Sequence, residues 1–313
     1  MALRWLAPLV SKVEIERKFL PTRPLLHALT RTTASPIHHS STARAHPAAV
    51  HFIRDVYYDR EDGRLAAQGL WVRRRSVVAG GSTVISSKSS PSCTSSWEAK
   101  VRVGGDFLAS QFVEVEGAQA VEREMHRAPG GSHVTVDNIG AELGVMCDLT
   151  TRRLAGRLEL CADDQKNDID LALQNLTVAI DQVVETTGGD FAVALAVLER
   201  MSAGGGEGEG DNNLKNPTGM HTPDGFFHEI GELELMAEVR TEAAALDENQ
   251  NESQAERRTQ EHETRRKTIA AKRAAQLEAF MGAHPALFPM TPRPRGKLVA
   301  YFAWREERAK AVR

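Results

Sequence analysis

Glu14, Glu16 and Lys18 stand two residues apart near the start of the chain, and in an extended backbone that spacing puts all three on one face. Val13, Ile15 and Phe19 then take the other. The alternation returns in Trp71, Arg73 and Arg75, in Phe112, Glu114 and Glu116, in Arg153, Arg157 and Glu159, in Thr177, Ala179 and Asp181, and in Glu232 and Glu234. Lys100 lies in another extended run, and Lys297 heads the C-terminal tail. One charged strand face is ordinarily a solvated one. Recurrence along the chain argues instead for a shared interior. The paired carboxylates Glu14/Glu16 and Glu232/Glu234 offer hard oxygen ligands suited to Mg²⁺, with Mn²⁺ as the alternative, and not to zinc. Arg73 and Arg75 can fork onto phosphate oxygens, while Lys18, Lys100 and Lys297 add point charges. Phosphoryl transfer asks for in-line positioning and neutralisation of developing charge, which a metal and a basic lining supply. The metal can also activate a water. No P-loop, histidine nucleophile motif or Ser-His-Asp set competes with this reading.

The elements that must position these groups are mostly strands. Residues 13–19, 51–58, 69–75, 97–103, 111–116 and 226–239 read as strands, together with the pair 144–151 and 153–161 and two runs within 168–181. Arg152 competes with Arg153 for the charged face, and Arg153 is preferred because it shares a side with Arg157. Helices are predicted over 21–31, 118–127 (stopped by Pro129-Gly130-Gly131) and 240–280, the last long, solvated and broken near 247–253. Loops are predicted at 34–49, where His38, His39 and His46 are read as solvated, and at 77–93. Residues 188–225 form an insertion in which an apolar segment, 191–201, leads into a Gly/Glu run at 204–210. The tail, 296–308, carries Leu298, Val299, Tyr301, Phe302 and Trp304 and should dock on the body. Many antiparallel strands favour a closed sheet, because closure removes edges. The expected fold class is α+β: a barrel with charge in the lumen, apolar packing outside, and helices covering it. One domain over 13–308, preceded by an extension at 1–12, is expected.

Composition narrows the partners. The 39 basic residues nearly balance the 42 acidic ones, which gives no support to a nucleic-acid or membrane-surface partner. Three cysteines, Cys93, Cys147 and Cys161, lack metal-ligand spacing and read as reduced thiols. No apolar run approaches bilayer length, and the faintly leader-like first ten residues run too soon into the first strand to be a cleaved signal. A cytoplasmic monomer is the expectation.

Glu14-Ile15-Glu16-Arg17-Lys18 resembles the Glu-x-Glu-x-Lys signature of the CYTH superfamily, the triphosphate tunnel metalloenzymes. Further matches follow in family order: Asp55-Val56-Tyr57-Tyr58-Asp59, Trp71-Val72-Arg73-Arg74-Arg75, Trp97-Glu98-Ala99-Lys100, Phe112-Val113-Glu114, Gly231-Glu232-Leu233-Glu234 and Lys297-Leu298-Val299-Ala300-Tyr301. All are similar to the thiamine-triphosphatase branch. The resemblance implies an eight-stranded antiparallel tunnel that hydrolyses thiamine triphosphate to thiamine diphosphate and phosphate with Mg²⁺. Glu14, Glu16, Asp181, Glu232 and Glu234 would then serve the metal. Lys18, Arg73, Arg75, Lys100, Arg153 and Lys297 would hold the triphosphate, with Arg157 and Glu114 completing the substrate side. Trp71 matches the tryptophan expected to stack on the thiazolium, plain core being its alternative. Which group acts as base stays open; a metal-bound water assisted by Lys100 is the working expectation. Inorganic tripolyphosphate, a nucleoside triphosphate, or polyphosphate binding without catalysis remain alternatives. The insertions and the long charged helix depart from the compact family pattern.

Overall fold

The structure, a computed structural model, describes residues 4–6, 9–31, 35–36, 43–80, 93–106, 108–128, 133–160, 173, 176–203, 225–241, 244–246 and 251–311. Eight long strands form the body: β1 (Leu9–Phe19), β2 (Ala49–Asp59), β3 (Leu70–Gly80), β4 (Thr94–Gly105), β5 (Ala109–Glu116), β6 (Gly144–Leu160), β7 (Leu176–Glu185) and β8 (Phe227–Thr241). Their neighbour order is β1-β5-β4-β3-β2-β6-β7-β8, and β8 pairs back onto β1, so the sheet closes. Every pairing around the ring is antiparallel. Closure leaves none of the eight with a free edge along its whole length.

Alternation decides what faces where. On β1, Val13, Ile15 and Phe19 point outward and join Val178 and Ile180 of β7 and Leu233, Leu235 and Val239 of β8 in one buried cluster. Helix α1 (Arg23–Thr30) adds Leu25, Ala28 and Leu29 to the same cluster. Two short helices, α2 (Arg64–Ala67) and α4 (Ile139–Glu142), flank α3 (Ala118–Arg127), whose Val121 and Met125 cover Leu70 and Val72 of β3 and Ala99 of β4. Asp59, at the end of β2, is a turn clamp: its carboxylate accepts the backbone N–H groups of Arg60, Leu65 and Ala66. Gly231 lies opposite Phe19 in the β8–β1 ladder, and a Cβ there would sit 2.3 Å from the Phe19 ring. Only glycine lets that ring lie across the strand.

Helix α5 (Phe191–Ala203) occupies the predicted apolar segment, with Ala194 and Leu198 packed on Val184 of β7. Helix α6 (Asn251–Ala283) starts later than the expected 240, because Arg240 still belongs to β8 and Ala244–Leu246 pairs with Arg4–Leu6. It is also less solvated than its charge suggests. Ala270, Leu277, Phe280 and Met281 recur at helical spacing and bury one stripe in the main cluster. Arg17, on the outer face of β1, reaches Glu278 of this helix at 2.7 Å. Helix α7 (Lys297–Ala311) places Tyr301 against Tyr57, Cys147, Leu149, Val183 and Phe226, and so builds an apolar plug against the inner face of the sheet.

Three strand expectations change. Residues 144–151 and 153–161 are not two strands but one 17-residue strand, Gly144–Leu160. Thr150-Thr151-Arg152-Arg153 carries no turn-forming residue, and β6 pairs with β2 on one side and β7 on the other through that point. β3 runs to Gly80, so 77–80 are strand rather than loop. The loop around 34–49 contains short strands at Ser35–Pro36 and Ala43–Ala45. Residues 81–92, the first run within 168–181, His38, His39, Cys161 and the 204–210 run lie outside the described residues.

Candidate active site

The faces turned away from the outer clusters meet in a bore that is continuous with solvent. Glu14, Glu16 and Lys18 enter it from β1, Trp71, Arg73 and Arg75 from β3, Lys100 and Arg102 from β4, and Phe112 and Glu114 from β5. Arg153 comes from β6, Glu232 from β8 and Lys297 from the first turn of α7. Residues separated by up to 283 positions in the sequence therefore share one space.

Two charged groupings divide the lining. In the first, Lys100 is paired with Glu14, lies 3.6 Å from Glu16 and 3.4 Å from Glu114. Lys18 is paired with Glu16 and lies 3.6 Å from Glu232. Arg153 forks onto Asp181 at 2.7 and 2.8 Å and also reaches Glu232 at 3.1 Å and Glu234 at 3.2 Å. In the second, Asp55 accepts from Arg75 at 2.7 and 2.8 Å and from Lys297 at 3.1 Å, with Arg73 at 3.8 Å. Arg73 in turn donates to Glu98 at 2.7 and 3.0 Å and to the Tyr57 hydroxyl at 3.3 Å. The first grouping is rich in acid and the second in cation.

Electrostatics follow this division. Burial opposes ionisation of Asp55, yet Arg75, Arg73 and Lys297 hold its carboxyl well below the usual range. Burial likewise opposes Glu232, which Lys18 and Arg153 bring down to about 2. Glu234 goes the other way. Burial, then the Glu14 and Glu232 carboxylates, push it up to about 8 against the pull of Arg153. Lys18 and Lys100 lose solvation, but the carboxylates around them raise both. An acid whose folded pKa is raised favours folding most while the unfolded chain is also protonated. Its contribution falls as pH climbs from the ordinary 4.5 and is gone once about 8 is passed. In metal-free buffer the melting midpoint should therefore carry a declining component between those pH values that Glu234→Gln removes. Parallel pH profiles that differ only by a constant offset would contradict it.

The acid-rich grouping fits a hard divalent cation in kind. Its donors are carboxylate oxygens, and Glu14, Glu16, Glu114, Asp181, Glu232 and Glu234 outnumber the cations that hold them, Lys18, Lys100 and Arg153. Among the described residues no three such side chains are already gathered at coordinating distance around one point. Lys18, Lys100 and Arg153 hold these carboxylates in ion pairs instead. A cation taken up here would free the lysines to face an anion.

Of the residues expected in the site, Glu14, Glu16, Lys18, Trp71, Arg73, Arg75, Lys100, Glu114, Arg153, Asp181, Glu232, Glu234 and Lys297 are brought together through the lining and its ion pairs. Arg157 is not. It shares the strand face of Arg153 but lies four residues further along the long β6, where its side chain is exposed and Glu159 pairs with His46 at 2.8 Å. Arg152 points outward to Gln182, which settles its competition with Arg153. Asp55, Tyr57 and Glu98, which lie in the matched motifs but are given no role there, and Arg102, which lies in none, also belong to the site. Strand alternation carries their signal, since Glu98 and Arg102 are two positions either side of Lys100, and Asp55 and Tyr57 alternate along β2.

No family model and no curated protein matches the chain. Among solved structures, a Pyrococcus horikoshii OT3 protein is similar over 80% of this chain and 89% of its own, at 10% identity and a TM-score of 0.32. A Hippeastrum protein described as a candidate adenylyl cyclase that reveals a dominant triphosphatase activity is similar over 95% and 96%, at 12% identity and a TM-score of 0.36. A Bacillus halodurans protein described as a candidate adenylate cyclase is similar over 72% and 81%, at 12% identity and a TM-score of 0.29. With such scores, the architecture rests on this chain's own strand pairings. Among the described residues no helix is long and apolar enough to cross a membrane.

Proposed function

We propose that the bore is the active site of a divalent-metal-dependent hydrolase acting on linear triphosphates. The observation that carries this reading is the convergence of Lys18, Arg73, Arg75, Lys100, Arg153 and Lys297, from five separate elements, on one space also lined by paired carboxylates. So many buried charges are costly to assemble unless they serve a highly charged ligand.

In this reading Arg73, Arg75 and Lys297 bind and orient the phosphate chain from the cation-rich side. Lys18, Lys100 and Arg153 neutralise charge on its other oxygens once their present carboxylate partners are engaged elsewhere. Glu14, Glu16, Asp181, Glu232 and Glu234 would hold Mg²⁺, which supplies charge neutralisation and a more acidic bound water. Water oxygen bonds to the terminal phosphorus, the bridging P–O bond breaks, and the diphosphate departs with the bridging oxygen while the water proton passes to solvent. Lys100, in contact with Glu14 and near Glu114, would orient that water.

Within the linear triphosphates, one reading, from the resemblance, is thiamine triphosphate, with Trp71 offering an indole face to the thiazolium. Inorganic tripolyphosphate is the second reading, favoured by one observation: the Arg102 guanidinium already lies 4.7 Å from the centre of the Trp71 ring. The test is phosphate release from thiamine triphosphate, tripolyphosphate and ATP, with Mg²⁺ and with a chelator. Release from at least one triphosphate, abolished by chelation and in Glu14→Gln, is the expected result. A fully folded chain that binds tripolyphosphate and releases nothing would be a binding module.

A further inference from the structure

We propose that Arg102 sets the substrate class of this site by occupying the Trp71 ring, so that a triphosphate without a cationic ring, inorganic tripolyphosphate, is preferred over thiamine triphosphate. The inference rests on the triphosphatase reading and narrows it.

Arg102 follows Lys100 on the bore side of β4, in register with Phe112 across the β4–β5 ladder. A register shift directly after it, between Arg102 and Gly104, ends the regular pairing. Its backbone is pinned from the other side, where its N–H donates to the Gly69 carbonyl at 2.8 Å. Gly69 has φ 82°, and a Cβ there would stand 3.0 Å from that of Arg102, so a glycine is what allows the close approach. The arginine is thus delivered over Trp71 by strand geometry on both flanks. Phe112 stands nearly perpendicular to the same indole, with ring centres 5.5 Å apart.

A cationic ring recognised by Trp71 must take the place that the guanidinium fills. It would lose the ring to a covalently tethered competitor, and it would bring one positive charge beside another. A bare polyphosphate makes no claim on the indole. It gains from Arg102 a further cation with fork geometry in the lining. Both effects have the same sign.

Initial rates of phosphate release give kcat/KM for tripolyphosphate and for thiamine triphosphate in the parent chain, Arg102→Ala and Arg102→Gln. The ratio of the two values on one preparation is independent of the fraction folded, so a poorly folding variant still reports. The parent should favour tripolyphosphate, and the ratio should fall roughly tenfold in both variants. A parent that favours thiamine triphosphate, or variant ratios within about twofold of the parent, overturns the assignment. Calorimetric dissociation constants for the same two compounds, with Ca²⁺ in place of Mg²⁺, supply the corresponding binding ratio. If the parent hydrolyses neither compound, the hydrolase reading fails while that binding ratio still decides the role of Arg102.

Discussion

Asp55→Asn is expected to melt far below the parent chain and to recover much of the loss when tripolyphosphate is added. Asp55 is fully buried and takes contacts from Arg75, Arg73 and Lys297. The isosteric amide keeps the shape but removes the negative charge, leaving three buried cations without the carboxylate that offset their mutual repulsion. Removing one partner of a buried ion pair typically costs about 3–5 kcal/mol, because the charge left behind keeps its desolvation penalty. A polyanion bound among the same cations restores the missing charge, and binding to the folded state alone adds stability by mass action. Thermal melts with and without tripolyphosphate measure both halves. A melting midpoint that is unchanged, or one that drops and gains no more from tripolyphosphate than the parent does, would show that these cations are not a phosphate site. The same carboxylate should make the parent sensitive to acid. A carboxyl held below its ordinary pKa favours folding above that pKa and is lost as pH falls toward the depressed value, so the Asp55 contribution disappears only in strong acid.

The second large effect concerns turnover rather than stability. Arg73→Lys should lower kcat/KM for phosphate release by about 10²–10³, the scale seen when a preorganised donor to developing charge is removed. Lysine preserves the charge, so the loss reports the fork. Arg73 holds Glu98 through two of its nitrogens and the Tyr57 hydroxyl through the third, which fixes the guanidinium plane in the bore. An ammonium on a flexible stem cannot reproduce that plane or a bidentate grip on phosphate. Rates measured at saturating Mg²⁺ over a range of substrate concentrations decide the matter. A variant within about threefold of the parent would place the phosphate chain away from Arg73, and the proposed orientation would have to be abandoned.

The resting bore balances itself. Cations that would grip phosphate are held by Asp55 and Glu98, and carboxylates that would take a metal are held by Lys18, Lys100 and Arg153. Under the proposed function, substrate and metal binding would be an exchange of partners. Such an exchange is weakened by salt less than a surface contact would be, since the groups involved are buried.

Much of this arrangement was readable before any coordinates. Alternation in 13–19, 69–75 and 226–239 placed Glu14, Glu16, Lys18, Arg73, Arg75, Glu232 and Glu234 on single faces, and the recurrence of those faces pointed to a closed sheet with charge inside. The reason is geometric: a strand's side-chain period is two, so local sequence alone assigns sides. What local sequence does not contain is the position of a residue along the barrel axis. Arg157 lies on the same side of β6 as Arg153 and still falls outside the site, because β6 continues past the part of the bore where Asp181, Glu232 and Glu234 converge. Read as two strands, 144–151 and 153–161, the sequence does not show that length. Partner choice is equally non-local. That Asp55 serves Arg75 and Lys297, 242 positions away, depends on β2 pairing with β3 and on α7 entering the bore. Arg102 on Trp71 depends on a bulge and on Gly69 across the ladder. The chain's pattern of charge determined which faces would turn inward; closure of the sheet, a long-range event, decided which of those charges meet and what they hold.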